Sequence, residues 1–233
     1  MQIHGIEVTG KGIANCIQKY YPGLIKISEE TPLFDYVFLF GIRVATCDTA
    51  LPDDIIGCIR FRPNLILGKN SWELLISEAT TDPSPKYLKP KLDEKGRPIK
   101  WWYDAEAKMK GGTAWVKEGQ YLYFLRGDYQ GYPSFGPAKP VPVYRWNPSN
   151  VGEKFDIRKA ILSTSTDTLI HRNWSFEYGR KRFFEDSAGC QVVKDNKTLN
   201  EMQRWAKRHI QLYKKNSFTY TLLTKEQFIN GSR

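Results

Sequence analysis

The feature that most constrains this chain is a succession of short segments that combine β-branched and aromatic residues and are bounded by Gly, Pro, Asp or Asn. Such side chains pack well on a pleated surface, and the bounding residues favour turns, so the pattern is typical of β-strands. The predicted strands are LIKIS (24–28), DYVFLFGIRVATC (35–47), DIIGCIRF (54–61), SWELLISEATT (71–81), TAWVKEGQYLYFLRG (113–127), VPVYRW (141–146), DTLIHRNW (167–174), GCQVV (189–193) and SFTYTLLT (217–224). The sequence therefore predicts a mainly β fold.

Two segments carry helical patterns. KGIANCIQKY (11–20) predicts a short N-terminal helix, which ends before Pro22 because proline cannot continue a helix. KTLNEMQRWAKRHIQLYKKN (197–216) places its apolar residues on one face, and Thr198 and Glu201 have the spacing of a capping box, so an amphipathic helix is predicted to begin at Thr198. His209 borders its apolar face, which favours a structural role.

These elements suggest a simple domain organisation. We interpret residues 1–30 as an N-terminal helical appendage and residues 31–233 as one mainly β domain with a single C-terminal amphipathic helix. The longest apolar run, YVFLFGI, is far too short to span a bilayer. The N-terminal MQIHGIEVTGKG lacks the regions of a secretory signal, so neither a membrane span nor a signal peptide is expected.

The net charge and the cysteine spacing limit the classes of partner, metal and cofactor that the sequence predicts. The net charge of +10 favours a polyanion, whether nucleic acid, anionic lipid or an acidic cell-wall polymer. Nucleic acid is the least favoured of these, because no zinc-finger spacing, helix-turn-helix pair or ribonucleoprotein-type aromatic motif is present. The four cysteines show no CxxC or CxxH spacing, so reduced thiols are expected, with no metal site and no cofactor.

One stretch, LIHRNWSFEYGRKRFFEDSAGCQVV (169–193), carries candidate chemistry. His171 lies near the end of one predicted strand, Cys190 lies near the start of the next, and a loop joins the two strands. A histidine beside a cysteine generates the nucleophilic thiolate. The small residues Ser187, Ala188 and Gly189 permit a sharp bend whose N–H groups can face an oxyanion. The alternative is a buried cysteine on a strand and an incidental histidine.

This arrangement of His, a loop, Ser-x-Gly-Cys and a hydrophobic strand resembles the signature of the L,D-transpeptidase catalytic-domain family. The resemblance implies that residues 31–233 form an L,D-transpeptidase-like catalytic domain, a β-sandwich or barrel. Enzymes of this family cut or rejoin peptidoglycan stem peptides through a thioester. It implies Cys190 as nucleophile and His171 as base, with Ser187 and Gly189 shaping the turn and the oxyanion site. Similarity to an uncharacterised bacteriophage-encoded branch extends over residues 41–223, in GIR, ATTDP, GGTAWVKEGQY, VPVYRW, SAGCQVV and FTYTLL.

The sequence departs from the family at two positions. The family commonly has His as the second residue of Ser-x-Gly-Cys and Arg or Asn after the cysteine, where this chain has Ala188 and Gln191. A substrate carboxylate would then need other partners, and Arg172, Gln191 and Arg145 are the candidates, Arg172 first. A structural salt bridge is the ordinary alternative for either arginine.

The resemblance thus implies acyl transfer on peptidoglycan stem peptides, by hydrolysis or transpeptidation, in a phage-encoded enzyme that degrades the cell wall. Such a protein would reside in the phage virion, or in the host cytoplasm before its release to the cell wall. The alternative is a structural or cargo protein of a virion that contacts other virion proteins and retains the fold without turnover. Ala188, Gln191 and the lack of an export signal motivate that alternative.

Overall fold

β-Strands form most of the computed structural model, which describes residues 2–22, 34–44, 52–64, 69–88, 92–97, 112–129, 131–146, 154, 156–173, 187 and 189–232. The mainly β prediction is confirmed. The strands are β1 (Gln2–Ile3), β2 (Ile6–Glu7), β3 (Val37–Arg43), β4 (Asp54–Asn64), β5 (Lys69–Thr80), β6 (Thr113–Val116), β7 (Gly119–Tyr129), β8 (Tyr132–Pro137), β9 (Val141–Trp146), β10 (Ile161–Ser165), β11 (Ile170–Arg172), β12 (Gln191–Val193) and β13 (Phe218–Thr224). The helices are α1 (Gly10–Tyr20), α2 (Pro85–Leu88), α3 (Asn196–Tyr213) and α4 (Lys225–Gly231), with a 3₁₀ turn at Ile157–Lys159.

Eight strands form a closed barrel in the order β11-β12-β5-β4-β3-β13-β7-β8. Two of its pairs are parallel: β11 with β12, where Ile170 lies opposite Gln191, and β13 with β3, where Thr219 lies opposite Phe38. Strands β10, β9 and β6 form a separate three-stranded sheet, and β1 pairs with β2. The prediction of a sandwich or barrel is therefore resolved in favour of a closed barrel.

Apolar side chains fill two cores on opposite faces of the barrel wall. Because side chains alternate along a strand, Leu39 joins the first core and Phe40 the second. The first core also takes residues from α3 and from the β6-β9 sheet, among them Met202 and Val143. The second takes residues from α1 and α4, such as Ile13. Both faces of strands β3 and β4 are therefore buried, which explains their nearly continuous apolar sequence.

The predicted N-terminal helix is confirmed as α1, which Thr9 caps by accepting a hydrogen bond from the Gly12 N–H at 3.0 Å. The predicted strand at 24–28 and the predicted boundary between residues 30 and 31 lie outside the described residues. No helix in the described ranges combines the length and the apolar character needed to cross a bilayer.

The start of the C-terminal amphipathic helix differs from the prediction. α3 begins at Asn196, and its N-cap is Asp195, whose carboxylate accepts from the Lys197 and Thr198 N–H groups. The Thr198 hydroxyl donates to Asp195 instead of capping the helix itself. The predicted capping box at Thr198 was therefore wrong. The carboxylate of Asp195, one turn earlier, is the stronger acceptor at the positive end of a helix.

The prediction of a single C-terminal helix was also incomplete. A second helix, α4, follows β13 directly and begins at a capping box in which the Thr224 hydroxyl and the Gln227 side chain each accept from the other's backbone N–H. Phe228 fixes α4 by entering the second core, where it is almost fully buried. The strand pattern and the helix start overlap at Thr224, which concealed the helix in the sequence.

We expect the stability of the fold to fall as the pH drops from 6.5 to 4 because of His209. The ring is fully buried in α3, its Nδ1 accepts the Val37 N–H at 3.1 Å, and burial lowers its pKa from 6.5 to about 4. Between these pH values the unfolded chain therefore binds a proton that the folded chain does not. This difference lowers the free energy of unfolding by at most about 3 kcal/mol. Urea unfolding across this pH range measures the loss.

A His209→Asn variant keeps an acceptor for the Val37 N–H and should lack this part of the pH dependence. If the free energy of unfolding of both proteins changed equally with pH, the assignment to His209 would be contradicted.

Candidate functional site

The parallel pair β11-β12 brings His171 and Cys190 onto adjacent segments of the barrel. His171 lies opposite Val192, and Cys190 precedes Val192 by two residues, at the start of a ladder in which the Gln191 N–H donates to Leu169 O at 2.7 Å. Cys190 lies just before β12, and residues two apart on a strand share a face, so we expect the imidazole and the thiol on the same face. With strands about 4.8 Å apart and a rise of about 3.3 Å per residue, their Cα atoms are about 8 Å apart. Two side chains extended toward each other can span that separation.

The hydrogen bonding of His171 defines its tautomer. The ring is buried, with 4% of its surface exposed, and its Nδ1 lies 2.7 Å from Arg172 O. A carbonyl oxygen only accepts hydrogen bonds, so Nδ1 carries the hydrogen and Nε2 is the acceptor nitrogen of the neutral ring. This arrangement fixes the imidazole and leaves its basic nitrogen on the side away from its own backbone, as a general base requires.

Ser187 and Gly189 form the turn that precedes the cysteine. The Ser187 hydroxyl donates to Cys190 O at 2.5 Å and accepts the Gly189 N–H at 3.2 Å, and Ser187 O accepts the Ser84 N–H at 2.8 Å. Gly189 has φ +143°, and a Cβ there would lie 2.7 Å from Ala114 O. Position 188 lies outside the described residues. Both named residues shape the turn, but the Gly189 N–H is occupied, so an oxyanion would need a different donor.

The thiol of Cys190 differs from the other described thiols. Cys190 is partly exposed, and its Sγ lies 3.4 Å from Asp167 O. Cys16 and Cys58 are fully buried, and burial raises the pKa of Cys16 to about 12 and that of Cys58 further still. A buried thiol with a raised pKa is inert near neutral pH. Cys190 is therefore the candidate nucleophile among the three described cysteines; Cys47 lies outside the described residues.

The three predicted substrate-binding residues occupy different places. Arg172 follows His171 on β11, so its side chain points to the opposite face, where the guanidinium stacks on Tyr132 at 3.8 Å from the ring centroid. Gln191 is fully buried and accepts a hydrogen bond from the Tyr220 phenol. Because neighbours along a strand alternate, we expect both side chains on the face opposite to that of His171.

Arg145 is the predicted binding residue that the structure does bring to the site. Its guanidinium donates to Gly112 O at 3.0 Å and to Thr164 O at 3.3 Å. Burial lowers the pKa of Arg145, while the charge of Asp167, whose carbonyl contacts the Cys190 thiol, acts to raise it. Arg145 thus lies beside the backbone segment that meets the candidate nucleophile.

Sequence reasoning missed the segment 164–169, which forms one wall of the site. Two of its carbonyls are bound by groups distant in sequence: Thr166 O accepts from Arg126 at 3.2 Å, and Thr168 O accepts from the Tyr123 phenol at 3.1 Å. Asp167 O accepts from the nearby Leu169 N–H. Arg126 and Tyr123 lie on β7, and only the β7-β8-β11 pairing brings them here. No local sequence signal marks that closure, so these residues were not predictable.

In comparisons with known proteins, no protein family, curated protein or solved structure matches this chain. Within the described ranges, no group of three or more His, Cys, Asp or Glu side chains is arranged to hold a metal ion. Residues 174–186, the loop between the two candidate catalytic residues, lie outside the described part.

Proposed function

We propose that this chain is a cysteine-dependent acyltransferase that acts on peptidoglycan stem peptides, and that its barrel is of the L,D-transpeptidase type. The observation that carries the proposal is the pairing of β11 with β12, which brings the segments that carry a partly exposed thiol and an oriented imidazole side by side. The glycine turn at position 189 supports it, since this turn lets the backbone bend sharply before the nucleophile. Sequence resemblance supplies the substrate class.

The proposed reaction begins with proton transfer. Nε2 of His171 takes the proton from Cys190 Sγ, and the thiolate attacks the carbonyl carbon of an L,D or D,D peptide bond. The tetrahedral intermediate collapses as the C–N bond breaks, and the imidazolium returns its proton to the departing amine. A thioester remains on Cys190. Attack by water releases a carboxylic acid, whereas attack by the amine of a second stem peptide forms a cross-link.

The charge of the chain agrees with this substrate. Peptidoglycan stem peptides and muramyl groups carry carboxylates, and a net charge of +10 raises the local concentration of such a polymer. For a phage protein, hydrolysis is the useful outcome, because it opens the cell wall. The protein would then act from the virion, or from the host cytoplasm once it is released to the wall.

The proposal is tested by mapping thiol reactivity against activity. We expect iodoacetamide to modify Cys190 in the folded protein at neutral pH while Cys16 and Cys58 stay unmodified, because their thiols are buried. Peptide mass spectrometry measures each site separately, Cys47 included. Release of muropeptides from purified sacculi should fall in proportion to the modified fraction of Cys190.

Two outcomes would contradict the proposal. Release that persists after complete modification of Cys190 would assign the activity to another group. Absence of release from the unmodified protein would favour the structural or cargo role in a virion, in which the fold persists without turnover. Binding of the unmodified protein to phage particles, without muropeptide release, would point the same way.

A further inference from the structure

Two arginines reach the backbone beside the candidate thiol without forming an ion pair in the described part of the chain. Arg145 donates to Thr164 O at 3.3 Å and Arg126 donates to Thr166 O at 3.2 Å. The next carbonyl, Asp167 O, lies 3.4 Å from Cys190 Sγ. The two guanidinium groups therefore both bind the backbone segment that leads into the carbonyl in contact with the sulfur.

Arg126 is held in place by the barrel wall. Its side chain crosses β8 at Gly136, where a Cβ would lie 2.5 Å from Arg126 Nε and 2.8 Å from Leu169 Cδ2. Its guanidinium also lies 5.1 Å from the Phe124 ring centroid. Nε is buried and makes no hydrogen bond to the described residues. The position is thus built by the fold, and the absence of a side chain at 136 is what permits it.

Several other described arginines have a carboxylate partner. Arg43 binds Glu118 at 2.5 Å, Arg60 binds Glu73 at 2.6 Å, and Arg158 binds Asp156 at 2.9 Å. Near Arg126 and Arg145 the described acid is Asp167, which is exposed and acts on Arg145 through its charge without a direct ion pair. In the described part of the chain, the positive charges of Arg126 and Arg145 are therefore not cancelled by a direct ion pair.

We propose that Arg126 and Arg145 form a carboxylate-binding site that holds a peptide substrate beside Cys190. A guanidinium has five N–H donors in a planar fork that matches a carboxylate, and the backbone contacts above use only some of them. The ligand is a short peptide with a free carboxylate near the bond that reacts. The assignment rests on the proposed function for its location at an acyl-transfer site, but binding itself requires no turnover.

The test uses Cys190→Ala protein, which binds without reacting, and two probes: N-acetyl-L-Lys-D-Ala-D-Ala and the same peptide as its C-terminal amide. We expect calorimetry to show that the acid binds roughly tenfold more tightly than the amide, since one charge-assisted hydrogen bond accounts for such a ratio. Arg126→Gln should weaken binding of the acid by a similar factor and leave the amide unchanged. Arg145→Gln should act in the same direction.

Arg158→Gln is the matched control, because it removes one positive charge from a side chain that is 86% exposed and already paired with Asp156. It should leave both affinities unchanged. Arg126→Lys retains the charge without the planar fork and should recover part of the preference for the acid. The comparison of the two peptides needs no arginine variant, so it decides the question even if Arg126→Gln does not fold.

Equal affinity for the acid and the amide, or no binding of either at millimolar concentration, would overturn this site. Failure of the proposed function has a different signature. Muropeptide release by the unmodified protein together with equal peptide affinities would refute the carboxylate site alone. A preference for the acid that depends on Arg126, in a protein that releases no muropeptides, would refute the acyl transfer and leave the site standing.

Discussion

Replacing His171 by glutamine is expected to lower the rate of muropeptide release by about 10²–10⁴, the range typical of losing a general base. Glutamine fills a similar volume and can hydrogen-bond, but it cannot take the proton of Cys190. The initial release rate measures the loss, with Cys190→Ala protein defining the background. Alkylation of Cys190 should also require a higher pH, because no imidazole then takes the proton of the thiol.

The control for this prediction is His209→Asn, assayed near pH 7. His209 bonds to Val37 and packs against Tyr36, Tyr213 and Phe218, so its replacement removes a histidine from the protein without touching the candidate site. The rate of muropeptide release by His209→Asn protein and the pH dependence of its Cys190 alkylation should match those of the wild-type protein. A His171→Gln protein that retains the full rate and an unshifted profile would remove the imidazole from the mechanism.

Substituting Gly189 by alanine is expected to lower the free energy of unfolding by about 2–5 kcal/mol. Two effects combine at this position. The φ of +143° is a conformation that side chains rarely adopt, and the new Cβ would lie 2.7 Å from Ala114 O, a backbone atom that can move only with β6. Urea unfolding measures the change. The displaced turn should also alter the alkylation rate of Cys190 in the fraction that stays folded.

Two other glycines separate these effects. Gly131 has φ +88°, and a Cβ added there would have no atom within 4 Å, so Gly131→Ala should show the backbone strain alone, about 1 kcal/mol. Gly127 has neither feature and should tolerate alanine with almost no change. If Gly189→Ala destabilised the protein no more than Gly131→Ala, then close packing against Ala114 would not constrain the turn.

The strands were predictable where local sequence determines them. DIIGCIRF and SWELLISEATT correspond to β4 and β5, and SFTYTLLT corresponds to β13, because each is rich in branched or aromatic residues and is buried on at least one face. TAWVKEGQYLYFLRG was predicted as a single strand, but it divides at Lys117 and Glu118 into β6 and β7, which belong to different sheets. No proline or paired turn residue marks that break.

Other strands were missed because their sequences lack the usual signals. β8 contains two prolines, at positions 133 and 137, which normally argue against a strand. β10 is exposed along most of its length, with Ile161 73% exposed, so burial imposes no alternating pattern on it. Both strands matter for the site, since β8 carries Gly136 beneath Arg126 and β10 leads into the segment that meets the thiol.

The residues of the candidate site likewise fall into those that a short stretch of sequence indicates and those that only the fold brings near. His171, Ser187, Gly189 and Cys190 were identifiable because the chemistry of a thiol and its base lies within one short stretch of sequence. Arg126 was not, because its relation to that stretch depends on the pairing of three strands. Arg172 was ranked above Arg145 on sequence proximity; in the structure Arg172 stacks on Tyr132, whereas Arg145 donates to Thr164 O.

The place of β13 in the barrel has a consequence for biosynthesis. This strand lies between β3 and β7 and pairs in parallel with β3, from which it is separated by most of the chain. Until residue 224 has left the ribosome, β3 and β7 each expose an unsatisfied edge in the nascent polypeptide. Such long-range pairing slows folding, so the growing chain would depend on chaperones to avoid aggregation during translation.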